Sequence, residues 1–123
     1  MSYIDGYIVP VKTSRKQEYI DLATKMAKRY LAEGALRIVE AWGDQVPDGK
    51  VTDFKRSVAA EADETIVFSW VEWPSKEARE AAWKKLESDP EMMEGMKKPD
   101  QPFSPQRMIW GGFQPIVDEQ REG

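Results

Sequence analysis

The sequence predicts an α+β fold, a four-stranded antiparallel sheet with two helices packed on one face. Three observations carry that expectation. Apolar runs rich in β-branched and aromatic residues alternate with helix-length segments in the order strand, helix, strand, strand, helix, strand. The two helix-length segments carry apolar residues at three-four spacing, one stripe to be buried on each. The 123 residues fit one domain, and a chain of that length buries about two thirds of its surface without disulfides or metals.

The first strand is expected over Tyr3 to Val11, with Pro10 near its end, where a missing backbone donor costs little. Ser14 and Gln17 have the spacing of a capping box, which predicts a helix start. The stripe that follows is Tyr19, Leu22, Ala23, Met26, Ala27, Tyr30 and Leu31, and Gly34 is placed to end the helix in a left-handed conformation. A second strand is expected over Ala35 to Trp42. Pro47-Asp48-Gly49 reads as a turn in which proline presets one dihedral and glycine takes a positive one. Thr52 is placed to cap a helical turn holding Phe54 and Val58. After the acidic linker Glu61 to Glu64, the third strand is expected over Thr65 to Trp73. Pro74-Ser75 opens a second helix with Ala78, Ala81, Ala82 and Leu86 on its apolar side, and Asp89-Pro90 ends it. Met92, Met93 and Met96 predict one short extra turn within a proline-rich stretch, and the final strand is expected over Arg107 to Phe113. One domain over residues 1–114 and a frayed, charged tail over 115–123 complete the expectation.

This βαββαβ order is the ferredoxin-like arrangement, with both helices on one face of the sheet. By alternation, Tyr3, Asp5, Tyr7 and Val9 share a side of the first strand, Ile66, Phe68, Trp70 and Glu72 share one on the third, and Met108 and Trp110 share one on the fourth. These large residues would crowd beneath alanine-rich helices, so all three sets are expected on the open face. So large an apolar face predicts a second copy laid against it, closing a dimeric α+β barrel with a cavity between the sheets. The second strand leaves two orientations open, with either Glu40 and Trp42 or Arg37, Val39 and Ala41 inside.

Composition excludes several kinds of chemistry. There is no cysteine, hence no disulfide and no thiol nucleophile. There is no histidine, which removes histidine-based triads and the usual ligands for zinc, non-haem iron and haem. Acid-base work falls to Asp, Glu, Lys or Tyr. A net charge of -4 argues against nucleic-acid and anionic-membrane partners. Without an apolar leader or a long apolar run, the expected setting is cytoplasmic and soluble. Two motif readings are weak. Asp44 as the start of a calcium loop puts Lys55 where a glutamate belongs. An RNA-recognition module would share this topology, but Glu61-Ala62-Asp63-Glu64 replaces its basic, glycine-bearing signature.

The segments GALRIVEAWGDQVPDGKVTDFKR, ETIVFSWVEWPSKEAR and RMIWGGF, with YIDGYIVPV at the start, resemble the YbaA-like family, domain of unknown function 1428. The resemblance runs from Tyr3 to Phe113. It implies the dimeric α+β barrel superfamily, which includes cofactor-free monooxygenases, haem-degrading enzymes, decarboxylases and small-molecule sensors. It implies fold and dimerisation and leaves the reaction open. The haem-degrading members hold iron through a histidine, which this chain lacks.

The candidate site is accordingly the expected cavity between two sheets. Asp5 and Glu72 are its candidates for proton transfer and Tyr7 for hydrogen bonding, because a carboxyl among aromatic rings is a stronger base than one in water. Trp42, Phe68, Trp70 and Trp110 are candidate walls for a small apolar or aromatic ligand, and Arg107 a candidate anion holder. No metal and no cofactor are expected. The competing expectation is a non-catalytic accessory dimer whose aromatics only fill the interface.

Overall fold

A computed structural model describes residues 2–122. Its strands are β1 (Tyr3–Lys12), β2 (Arg37–Trp42), β3 (Glu64–Trp73) and β4 (Ile109–Phe113), and its helices α1 (Lys16–Ala32), α2 (Phe54–Ser57), α3 (Lys76–Glu87) and α4 (Pro90–Met96). The sheet has the order β2-β3-β1-β4 with every pairing antiparallel, which is the ferredoxin-like topology. Among the described residues no helix is long and apolar enough to cross a membrane.

Local chemistry explains most boundaries. Gly34 ends the first helical segment at φ 109°, a conformation that costs glycine little. Ser75 caps α3 by accepting the Ala78 N–H, and Asp89 caps α4 by accepting from Glu91 and Met92, with Pro90 at the first position. Three expectations give way. The Ser14–Gln17 capping box does not form; a 3-10 turn, Thr13–Arg15, leads into α1, and Gln17 bonds Asp21 instead. Asp53, not Thr52, caps α2, accepting the Arg56 N–H. Gly49 is not in a positive-φ turn; its lack of a side chain matters because a Cβ there would lie 2.0 Å from the Thr52 carbonyl oxygen.

The core lies between the sheet and the helices. Val9, Val11, Tyr19 and Val67 form one buried cluster, and Ala35, Val71, Trp73 and Ala82 another. Registers fix the faces, because directly paired residues point the same way. Tyr7 pairs with Ser69 and Asp5 with Val71, so Tyr3, Asp5, Tyr7 and Val9 face the helices, contrary to expectation. Asp5 shows why. It is completely buried, and the donors its carboxylate needs come from the helix side, where Arg79 and Trp83 of α3 reach it. The third strand behaves as expected, with Phe68, Trp70 and Glu72 on the open face. Beside them on that face are Ile4, Gly6 and Ile8 of β1, Val39 of β2, and Ile109 and Phe113 of β4. The undecided second strand is now settled: Ile38, Glu40 and Trp42 face the helices. The segment after β2 folds over one end of the open face, where the Phe54 ring meets Phe68 edge-on at 6.1 Å.

Candidate functional site

Because α1 and α4 stand apart over the helix face of the sheet, a cavity of about 240 Å³ opens between them. Leu22, Met26, Met92, Val71 and Phe103 give it apolar walls. Three of its polar groups lie in one row across the sheet, and the others come from α1, α4 and the segment after α4. Tyr7 of β1 stands directly opposite Ser69 of β3, and Ser69 directly opposite Glu40 of β2. Adjacent strands are about 4.8 Å apart, so the Tyr7 and Glu40 backbones are separated by about 10 Å, with only the small Ser69 side chain between them.

The three polar groups differ in their partners. The Tyr7 hydroxyl is buried and, among the described residues, is the one such side-chain group without a hydrogen-bond partner. Burial, reinforced by Tyr30 and Asp5 nearby, raises its pKa and keeps it protonated. The Tyr19 hydroxyl donates to Glu40 Oε1 at 2.6 Å. Glu40 has its pKa raised by burial, against hydrogen bonds from Tyr19 and Ser69 that pull it down. Glu40 also retains considerable accessible surface. The two facts agree because it borders both this cavity and a second, of about 340 Å³, on the other flank of α1, so the surface it shows is concave. That second hollow is lined by Ile38, Trp42 and Val67, and Lys16 lies over the Trp42 ring at 4.9 Å.

The cover over the first cavity is held by charge. Arg29 Nη2 lies 2.6 Å from Asp89 Oδ2, joining α1 to the start of α4, and Lys25 pairs with Glu91 at 3.8 Å. Gln101 donates to the carbonyls of Gly95 and Met96, tying the end of α4 to the following segment.

Of the candidate site residues expected from sequence, Tyr7 alone lines the first cavity and Trp42 the second. Asp5 and Glu72 are on opposite faces. Asp5 accepts from Trp73 Nε1 at 2.9 Å, Arg79 Nε at 3.1 Å and Trp83 Nε1 at 3.3 Å, an arrangement that anchors α3 to the sheet. Glu72 accepts from Trp70 Nε1 at 3.0 Å on the open face, with Arg37 at 3.8 Å. Phe68 and Trp70 are on that same face, while Trp110, contrary to expectation, shares the helix side with its partner Tyr7 and is 62% exposed on the edge strand. Arg107 is engaged within the protein: its guanidinium meets both Glu64 oxygens, at 2.7 and 2.6 Å, and donates to the Ala59 carbonyl at 3.0 Å. Glu40, Tyr19 and Ser69 were not recognised as a group by sequence. The register of β2 was the signal needed, and alternation within one strand does not supply it.

The chain has relatives in sequence and neighbours in fold. A family model described as protein of unknown function (DUF1428) matches residues 2–105. The chain is 51% identical over 119 residues to the uncharacterized protein YbaA of Escherichia coli K12, covering 97% of this chain and all of that one, and the Shigella flexneri YbaA matches equally. Two crystal structures of dimeric ferredoxin-like proteins from uncultured marine organisms share the fold. One superposes with a TM-score of 0.62 at 12% identity, covering 97% of this chain and 99% of the other. The second has a TM-score of 0.61 at 11% identity, covering 96% and 98%.

Proposed function

The chain belongs to the DUF1428 family, and from that premise we propose that it is a cytoplasmic homodimer that holds a small apolar or aromatic molecule in the cavity beneath α1. The observation that carries the reading is the Tyr7 hydroxyl, buried at the wall of an apolar cavity with no partner in the protein. Buried polar groups are nearly always partnered, by protein, water or ligand, and ligand pockets set a few such groups among apolar walls. Homodimerisation is supported by the open face, where Phe68 is 46% and Phe113 60% exposed, and by the dimeric state named for both structural neighbours. In this reading Phe68, Trp70 and Glu72 belong to the interface and Tyr7 to the ligand.

Native mass spectrometry of the gently purified protein tests this. A dimer carrying a retained small-molecule mass, or taking up added 2-acetylnaphthalene, is the expected result. Ala23→Leu, which adds bulk at the cavity wall, is expected to abolish retention while the dimer persists. A bare dimer that also refuses the added ketone contradicts the reading.

A further inference from the structure

We propose that the row Tyr7–Ser69–Glu40 abstracts a proton next to the carbonyl of an uncharged ketone, Tyr7 holding the carbonyl oxygen and Glu40 receiving the proton. The proposal rests on the cavity being a ligand site, and it adds the class of ligand and a reaction.

The register makes the case for juxtaposition. Tyr7 and Glu40 flank Ser69 on the same face, two strand spacings or about 10 Å apart at the backbone. A carbonyl and its neighbouring carbon fit between a phenol and a carboxylate so disposed. Tyr7 suits the oxygen: its hydroxyl has no internal partner to give up, and burial keeps its proton in place for donation. Glu40 suits the carbon. Tyr19 fixes one carboxylate oxygen at 2.6 Å, and a carboxylate has about four acceptor positions, so others stay open. Burial makes it a stronger base than a carboxylate in water. The pairing of a hydrogen-bonding phenol with a carboxylate base is a known solution for enolisation.

Charge selects against acids. Three carboxylates, Glu40, Asp89 and Glu91, border the cavity against two cations, Arg29 and Lys25, and Arg29 is held by Asp89 at 2.6 Å. The remaining acidic hydroxyls at the site, Tyr19 and Tyr30, have their pKa values raised by burial first and by Glu40 second, so they too stay neutral.

In the step, the C–H bond next to the carbonyl breaks and its proton passes to a Glu40 oxygen. The electron pair moves into the carbon–carbon bond, and the carbonyl π pair moves to the oxygen, which accepts the Tyr7 O–H hydrogen bond. Return of a proton from Glu40 to carbon restores the ketone, so no oxidant or reductant is needed.

The test is hydrogen exchange of the methyl group of 2-acetylnaphthalene in D2O, followed by proton NMR, with binding read separately by saturation transfer. Wild type is expected to exchange it at least about 100-fold faster than Glu40→Gln, which still binds the ketone. Tyr7→Phe is expected to lower ketone affinity by about tenfold, and 2-naphthoate is expected not to compete. Glu40→Asp, which keeps the charge but withdraws it by one methylene, is expected to bind and exchange slowly. Ketone binding with exchange unchanged by Glu40→Gln overturns the proton-transfer step alone. Absence of ketone binding by the wild type overturns this step, and it overturns the cavity reading as well when the purified dimer also carries no retained small-molecule mass.

Discussion

Asp5 and Glu40 are two carboxylates on one face of the sheet, and their partners give them opposite parts. Asp5 is enclosed by two indole N–H groups and a guanidinium, so its charge is matched. Removing it leaves Arg79, only 19% exposed at its side chain, without its partner. Asp5→Ala is therefore expected to cost about 3–5 kcal/mol in urea unfolding, a loss typical of breaking a buried pair from one side. Glu40 is the reverse case. Its folded pKa lies above the ordinary 4.5, so the native state holds a proton over a window where the unfolded chain has released it. Stability is then fullest below that ordinary value and falls as pH rises through the folded one. Glu40→Gln is expected to be more stable than wild type near pH 7 and to lose that advantage by about pH 3, read from denaturation midpoints. Tyr19→Phe removes a hydrogen bond that favours the carboxylate, so it is expected to push the Glu40 titration upward, measurable by carboxyl NMR.

At the scale of elements, the strands and helices were legible because alternation and three-four spacing are properties of neighbours in sequence. The connections were less so. The turn around Pro47-Asp48-Gly49 announced itself by composition, yet what holds it is Asp53, which accepts the Gly49 and Arg56 N–H groups, while the Arg56 guanidinium donates to the Val51 carbonyl. Those bonds reach across several residues, and no dipeptide rule encodes them. The strict requirement at Gly49 is proximity: an added Cβ would meet the Thr52 carbonyl at 2.0 Å. Gly49→Ala is expected to cost about 1–3 kcal/mol by forcing the loop apart, seen as a lowered urea midpoint. The methionine stretch did form its short helix, α4, and the Arg29–Asp89 pair ties its start to α1, a contact between segments 60 residues apart in number.

At the scale of the molecule, the topology and an apolar open face were readable, and the side each strand presents was readable for β3 but not for β1, β2 or β4. Size alone misassigned Tyr7, because the helices do not lie flush on the sheet; the space they leave is the cavity. The open face keeps its own consequence. Phe68→Glu, which sets a charge amid that apolar surface, is expected to convert a dimer into a monomer in sedimentation at micromolar concentration, with the fold intact by circular dichroism. A wild type that is already monomeric there contradicts the interface.

The cavity is tested most directly by its methionines. Met26, Met92, Met96 and Met108 line it and Met93 does not. With methyl-labelled methionine, titration with 2-acetylnaphthalene is expected to shift the four lining methyl signals saturably and to leave Met93 and the open-face Trp70 indole unmoved. Shifts confined to Trp70, or four methyl signals that stay in place while the ketone binds, would contradict the account.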